Sequence, residues 1–407
     1  MILARLFERL ITIGRLTLID AHGRSHDFRG VGGPCATIRL KDPALHWKLV
    51  LRPRLYLPEA YMDGALTIEE GSLTEFLDLL ARNFEALPEG FLVRSYNGYT
   101  TFLRHLHQYN PRPRSRRNAA HHYDLSDRLY ELFLDEDRQY SCAYFAFPEE
   151  NLEAAQRAKK RHIASKLLLR PGQRVLDIGC GWGGLALTLA QEYGVEVTGL
   201  TLSAEQLKIA GRRAAAAGLS DRVRFYLRDY REEVGRFDRI VSVGMFEHVG
   251  VNHYGEFFAK VKSLLPPDGI ALLHAIGRMS GPGHTNPWLR KYIFPGGYSP
   301  ALSEVTRAVE QARLWITDIE VLRLHYAETL KAWNRRFQQH RDEIKALYDE
   351  RFCRMWEMFL VSSEITFRRH DHMVFQMQLA KAGDTVPVTR DYLFEDERAA
   401  AVSEKAA

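Results

Sequence analysis

Val175-Leu-Asp-Ile-Gly-Cys-Gly-Trp-Gly-Gly184 is the stretch that decides the fold of this 407-residue chain. Val175, Leu176 and Ile178 make the short apolar run of a parallel strand covered on both faces. Gly179, Gly181, Gly183 and Gly184 follow at once, so the backbone can turn sharply and approach a ligand with no Cβ in the way before a helix begins near Leu185. A glycine-rich strand-to-helix turn also serves dinucleotide enzymes and turns that hold no ligand. Here it reads D-x-G-x-G, not G-x-G-x-x-G, and the chain has no G-x-x-x-x-G-K-[ST] loop, which favours S-adenosylmethionine as the ligand.

The alternation that surrounds this turn sets the fold class. Strand runs at 174–178, 195–200, 223–227, 239–243 and 270–274 alternate with helical patterns at 204–217 and 254–265. The expectation is a doubly wound α/β sheet with its ligands at the carboxyl ends of the strands, where Asp229, Glu247 and His274 fall. Two long amphipathic segments, about 326–350 and 353–370, are expected as a helical cap over that sheet.

The N-terminal region reads differently. Runs at 16–19, 36–40 and 47–51 are expected as strands, and Ser72 is expected to cap a helix carrying Leu73, Phe76, Leu77 and Leu80 on one face. That makes a smaller α+β domain over 1–110, then a basic linker at 111–120, a catalytic domain at 121–390 and a tail at 391–407. Ile2, Leu3, Leu6, Phe7, Leu10 and Ile11 form a helical stripe that suits either a bilayer surface or a docked helix.

Composition narrows the function. The chain is 46% apolar and 26% charged with a net charge of +5, which is ordinary globular protein. Its N-terminal apolar stretch is broken by Arg5, Glu8 and Arg9, so neither a membrane span nor a signal peptide is expected, and the reading is cytoplasmic. Cys35, Cys142, Cys180 and Cys353 lack C-x-x-C spacing and read as free thiols, and no histidine pair has metal-ligand spacing. Arg112, Arg114, Arg116 and Arg117 suit an anionic lipid surface or a solvated connector; no nucleic-acid module accompanies them.

Several motifs then occur in a specific order: Tyr140-Ser-Cys-Ala-Tyr-Phe145, the 175–184 turn, Gly199-Leu-Thr-Leu-Ser-Ala-Glu-Gln206, Arg228-Asp-Tyr-Arg231, Val243-Gly-Met-Phe-Glu-His-Val-Gly250, His274-Ala-Ile-Gly277 and Lys291-Tyr-Ile-Phe-Pro-Gly-Gly297. Together they resemble the cyclopropane-fatty-acid synthases over about 120–380, and the N-terminal region with Tyr61-Met-Asp-Gly64 is similar to the extra domain of the phospholipid-modifying members. The resemblance implies a Rossmann-like methyltransferase fold and methylene transfer. The alkene of an unsaturated phospholipid acyl chain attacks the methyl of S-adenosylmethionine, and the cation loses a proton to close a ring. It further implies a bound bicarbonate as base, caged by Cys142, Glu247, His274, Tyr326 and the backbone at Ile276. Cofactor contacts implied or expected are Tyr140, Ser141, Asp177, Gly179, Gly181 and Gly183, with Thr201, Ser203 and Gln206 toward the ribose and Asp229 and Tyr230 toward the adenine. Phe145, Phe147, Tyr292, Phe294 and Tyr298 are aromatic faces available to a cation. Ser363 stands where many relatives carry cysteine.

Membrane phospholipid, a peripheral anionic membrane surface on the inner face of the cell membrane and a symmetric homodimer are the partners this reading carries. Its alternatives are C-methylation of the same alkene, methylation of a soluble small molecule, and a noncatalytic lipid-binding protein.

Overall fold

The computed structural model describes residues 2–85 and 126–393. The arginine-rich segment at 112–117 lies outside them. Two compact units interleave along the chain: Met1–Phe102, His284–Pro295 and Ala327–Asp371 form one, and Leu103–Gly283, Gly296–Tyr326 and His372–Ala407 form the other. This differs from the linear division expected at about residue 110. The two long helical segments expected over the sheet belong to the first unit, because their apolar faces find partners there.

In the first unit, β1 (Arg15–Ile19), β2 (Ser25–Arg29), β3 (Cys35–Leu40) and β4 (Leu66–Glu70) form a sheet of order β2-β1-β3-β4, with only β1 and β3 parallel. Helix α1 (Ile2–Leu10) docks on its own unit through Leu3, Phe7 and Leu10, with the Phe7 ring 5.7 Å from Phe28. Its stripe is therefore split, and Ile2 and Leu6 stay exposed. Residues 47–51, expected as a strand, belong to helix α2 (Leu45–Leu51): Leu45 and Leu49, four apart, are buried while Trp47 and Leu51 are exposed. Helix α3 (Pro53–Met62) and α4 (Leu73–Glu85) complete the N-terminal part. Ser72 begins α4 as expected, its Oγ accepting from the Glu75 N–H at 3.1 Å and donating to the Glu75 carboxylate at 2.9 Å, a reciprocal cap.

Tyr61 Oη donates to Glu357 Oε2 at 2.9 Å, and Arg351 pairs with Asp63 at 2.8 Å; both partners lie on the long helix Glu350–Arg369. The Tyr61-Met-Asp-Gly64 motif is thus a docking point for that helix. Asn83, a residue the sequence did not single out, is 1% exposed and uses its whole amide. Its oxygen accepts from Thr12 N and Ile13 N at 2.8 and 2.9 Å, and its nitrogen donates to Ile13 O and Leu79 O, both at 2.8 Å.

Among the described residues, the second unit opens with α5 (Asp127–Phe133) and α6 (Leu152–Leu167). Its sheet is built from β5 (Arg174–Ile178), β6 (Glu196–Thr201), β7 (Val223–Leu227), β8 (Arg239–Val243), β9 (Ile270–Arg278), β10 (Trp315–Val321) and β11 (His372–Ala380), with α7 (Gly184–Tyr193) after β5 and α8 (Ala204–Ala216) after β6. The order is β10-β11-β9-β8-β5-β6-β7; neighbours from β9 to β7 are parallel, and β11 is antiparallel to both β9 and β10. Order reverses between β5 and β8, which is where a doubly wound sheet opens a crevice. Adjacent residues of one strand serve two cores: Val175, Val241 and Leu272 pack with Ile163 and Leu167 of α6, while Leu176, Ile240 and Leu273 pack in the cluster of Phe246, Tyr254 and Phe258. The antiparallel pair β10 and β11 was not expected. Gln376 and Gln378 interrupt the apolar pattern of β11, yet both are fully buried.

Replacing Asn83 by alanine strands two backbone donors and one or two acceptors at the junction of the 12–13 turn with α4. The expected loss is about 2–3 kcal/mol, measured by urea unfolding, with the second unit's near-ultraviolet spectrum unchanged.

Candidate active site

The glycine turn after β5 works through what it leaves out. Gly183 caps α7 with φ of +85°, and a Cβ there would meet the Phe225 ring at 2.7 Å. A Cβ on Gly184 would meet Asp137 Oδ2 at 2.4 Å and Gln139 Nε2 at 2.5 Å. The bare backbone therefore lets the 135–141 segment lie directly on the helix start. That segment is tied down from all sides. Asp135 accepts from Gln139 N at 2.9 Å, Lys160 pairs with Asp137 at 2.6 Å, Arg213 pairs with Asp137 and donates to Trp182 O at 2.9 Å, and Gln156 Nε2 donates to the carbonyls of Gln139 and Ser141 at 3.2 and 3.0 Å.

The cleft so formed is lined by Tyr140, Ser141, Asp177, Gly179, Gly181, Thr201, Ser203, Gln206, Asp229 and Tyr230. Gly183 does not line it and serves packing. Arg138, Gln139, Trp182, Met245 and His248 also line it and were not singled out from sequence, although each sits inside or beside a quoted motif.

The side chains divide by how far they are already committed. Thr201 Oγ1 donates to Gln206 Oε1 at 2.8 Å and accepts from Ser203 N at 3.1 Å, and Ser203 Oγ accepts from Gln206 N at 3.3 Å as the cap of α8. These hydroxyls shape the loop, and the Gln206 amide nitrogen is turned from Thr201. Asp229, 2% exposed, caps the turn at Tyr230–Glu232 and is gripped by Arg231, Nε at 2.9 Å and Nη2 at 2.6 Å. Any contact to an adenine edge would use a lone pair left over from that grip. Asp177 is the opposite case: it is 2% exposed, and its Oδ2 has no hydrogen-bond partner. Burial pushes its carboxyl up to about 7, opposed by the charge of Lys159.

The five cage candidates lie outside the lining of this cleft; Cys142 and Glu247 adjoin lining residues in sequence, and His274 and Ile276 reach Gly244 and Glu247 by hydrogen bonds. Glu247 and Ile276 are in direct contact, Ile276 N donating to Glu247 Oε1 at 2.6 Å, while Glu247 Oε2 is buried without a partner. Burial raises this carboxyl to about 7 against the opposing backbone hydrogen bonds. His274, 2% exposed, lies level with the end of β8, where Gly244 N donates to its carbonyl at 2.9 Å. Gln376 Nε2 stands 3.2 Å from its Nδ1, which places the ring proton on Nε2, and burial drives its pKa far down, so the imidazole is neutral. Cys142, 1% exposed, follows Ser141. Tyr326 lies in the first turn of the helix that runs His325–Gln339. Its neighbour His325 accepts from Phe145 N at 3.0 Å and stacks on Tyr144 at 4.8 Å, which fastens the start of that helix to the segment bearing Cys142.

The aromatic candidates separate. Tyr292 and Phe294 belong to the first unit, where Tyr292 donates to Glu59 at 2.9 Å and Phe294 packs on Phe359 at 5.5 Å. Phe147 is exposed. Tyr298 is in the second unit, but its ring already has the Arg278 guanidinium 5.7 Å from its centroid, and its hydroxyl donates to Glu304 at 2.7 Å.

Comparison with known proteins now bears on this geometry. The mycolic acid cyclopropane synthetase family matches residues 111–377. The cyclopropane-fatty-acyl-phospholipid synthase of Escherichia coli is 39% identical over 352 residues, 86% of this chain and 89% of that one. The tuberculostearic acid methyltransferase UfaA1 of Mycobacterium tuberculosis is 37% identical over 392 residues, 93% and 91% of the two chains. Among solved structures, the mycolic acid cyclopropane synthase CmaA1 complexed with SAH and CTAB matches with a TM-score of 0.62 and 33% identity, over 67% of this chain and 99% of that one.

This chain belongs to the mycolic acid cyclopropane synthetase family. It is an S-adenosylmethionine-dependent methyltransferase. The cleft fits that cofactor on its own terms: it offers a buried carboxylate oxygen with no partner and a turn with no Cβ to crowd a ligand.

Two buried acids with raised pKa values make a testable signature. Each contributes stability that is fully present below about pH 4 and is lost as pH rises through about 7, because the folded state resists the ionisation that the unfolded chain permits. Asp177→Asn and Glu247→Gln are each expected to raise stability at pH 8 by about 1–3 kcal/mol and to leave it nearly unchanged at pH 4, by denaturant titration at both pH values.

Proposed function

We propose that this chain is a cyclopropane-fatty-acyl-phospholipid synthase, transferring a methylene from S-adenosylmethionine to the cis double bond of unsaturated membrane phospholipids with bicarbonate as general base. The observation that carries this reading is Glu247, one carboxylate oxygen pinned by the Ile276 N–H and the other buried and unpaired beside the cofactor cleft. The 39% identity to the Escherichia coli synthase over most of both chains supports it. When bound, S-adenosylmethionine supplies an electrophilic methyl group and bicarbonate an acceptor for the proton released on ring closure.

The protein's share follows from its side chains. Asp177 takes the ammonium of the cofactor's amino-acid end, Tyr140 and Ser141 lie along it, the Gln206 amide donates to the ribose, and Tyr230 borders the adenine. An alkene is a weak nucleophile that cannot be sharpened by deprotonation, so close approach and exclusion of water must do the work. The base must be an anion held still in that dry site. Neutral His274 through its Nε2–H, Tyr326, and Cys142, whose thiol in this structure donates to Ala143 O at 3.3 Å, supply the donors for such an anion. Glu247 fits among them as the acceptor of the anion's own hydroxyl, through the Oε2 that has no partner, a role that an amide nitrogen in its place cannot fill.

The lipid reading has support in the first unit. No described helix is long and apolar enough to cross a membrane. Helices α1 and α2 expose Ile2, Leu6, Trp47 and Leu51, with Arg5, Arg9 and Arg52 exposed on the same two helices or just beyond them. Apolar side chains interspersed with cations suit peripheral attachment to an anionic bilayer, here on the inner face of the cell membrane. A symmetric homodimer would present two such faces.

Three outcomes are expected. Glu247→Gln and Tyr326→Phe keep cofactor affinity within about threefold in calorimetry and lose at least about 100-fold in turnover, the scale of a lost positioned acid or base; wild-type rates in both would remove the cage. With cis-monounsaturated phospholipid vesicles and cofactor carrying a CD3 group, the product is expected to hold two deuteriums with the alkene gone. Three deuteriums in a product that keeps its alkene would assign C-methylation. The double substitution Trp47→Ser with Leu51→Ser is expected to weaken sedimentation with anionic vesicles at least tenfold, about 1.4 kcal/mol, at unchanged melting temperature.

A further inference from the structure

Lys159 is a lysine closed off from bulk solvent. It is 0% exposed, among the largest fully buried side chains of the described residues, and it lies on α6 one turn before Ile163, which packs against Val175. Asp177 shares the face of β5 with Val175, so lysine and aspartate come from the two elements that close the same face. Its ammonium donates to Gln139 Oε1 at 2.5 Å and to Ser141 Oγ at 2.9 Å, two side chains that line the cofactor cleft. Gln156, one turn earlier on the helix, already holds the carbonyls of those two residues. Lys159 is therefore redundant as a clamp on the backbone, and an uncharged donor would serve its two hydrogen bonds at lower desolvation cost.

We propose that Lys159 is a positioning residue of the cofactor site, whose buried charge keeps Asp177 an ionised acceptor for the ammonium of S-adenosylmethionine while its hydrogen bonds hold Gln139 and Ser141 at the rim. This rests on the reading of Asp177 given above. The electrostatics agree in direction: burial pushes Asp177 up to about 7 and the Lys159 charge opposes it, while burial draws Lys159 down to about 8 against the pull of Asp135 and Asp137. The other ionisable groups facing the pair are Lys160 on the same helix, Cys142 on the 140–145 segment, Cys180 in the glycine turn and His274 on β9. Cys180 and His274 are held neutral by burial, and Lys160 is paired with Asp137. Without the Lys159 charge, Asp177 loses its proton only at higher pH, so the pH at which the cofactor begins to bind moves upward.

The test is calorimetric affinity for S-adenosylmethionine from pH 6 to 9, without lipid, on the full chain and its Lys159→Met, Lys159→Gln, Lys159→Arg and Asp177→Asn variants. The expected result is a binding midpoint shifted upward by at least one pH unit in the Met and Gln variants and restored in the Arg variant. At pH 7 the KM for cofactor rises at least tenfold, and kcat at saturating cofactor changes less than threefold. Asp177→Asn is expected to bind weakly at every pH, and adding Lys159→Gln to it should leave the flat profile flat. An unchanged midpoint in the Gln variant, or a loss equal at all pH values, would overturn the proposal while leaving Asp177 as the ammonium's partner. Wild-type affinity in Asp177→Asn would overturn the reading of Asp177 itself. If both uncharged variants fail to fold while Lys159→Arg folds, the charge serves folding and the proposal is again wrong.

Discussion

A helix start with no side chain on it is the constraint from which the second unit is built. At Gly184 a Cβ would stand within 2.6 Å of three polar atoms of Asp137 and Gln139, so a side chain there would lift the 135–141 segment off the turn. That segment carries Tyr140 and Ser141 into the cleft and Cys142 to its border, and its own ties to Lys160, Arg213 and Gln156 have value only if it reaches the backbone beneath. The same turn ends β5 at the point where strand order reverses, which opens space for a ligand without removing any of the sheet's hydrogen bonds.

Around that turn the protein tolerates charge where burial opposes it. Asp177 and Glu247 each keep one oxygen buried and unpaired, and Lys159 is an ammonium with no exposed surface. A fold selected for stability alone would replace these groups with apolar ones of similar volume. Their retention has a physical logic in a site that must receive charged molecules: an unsatisfied buried group is a binding determinant already desolvated before the ligand arrives. By contrast Asp229 and Arg231, or Lys166 with His162 and Glu320, neutralise one another within the fold and serve its shape.

Much of the site was legible because its residues cluster in sequence around strand ends. The Gly179–Gly184 turn, the 201–206 loop and the 229–230 turn all follow predicted strands, and ten of the expected cofactor residues line one cleft. What was not legible depended on residues far apart. Gly183 reads like its neighbours but serves Phe225 on another strand. Residues 47–51 have the composition of a strand and form a helix because burial selects Leu45 and Leu49. β11 hides behind two glutamines whose amide nitrogens find partners more than a hundred residues away, His274 for Gln376 and Lys166 O for Gln378, while Gln376 Oε1 stays buried without one.

Local spacing by itself determined that this chain has a parallel-rich α/β sheet with a glycine-lined ligand turn, and ordered motifs determined its family, because both are properties of neighbouring residues. Tertiary structure alone decided which groups are committed and which are left open. Glu247 meets Ile276 across 29 residues, Lys159 meets Gln139 and Ser141 from another element, and the long helices after 326 join the unit that begins the chain. Burial and hydrogen-bond satisfaction are sums over everything that surrounds a side chain, and those surroundings exist only once the chain has folded.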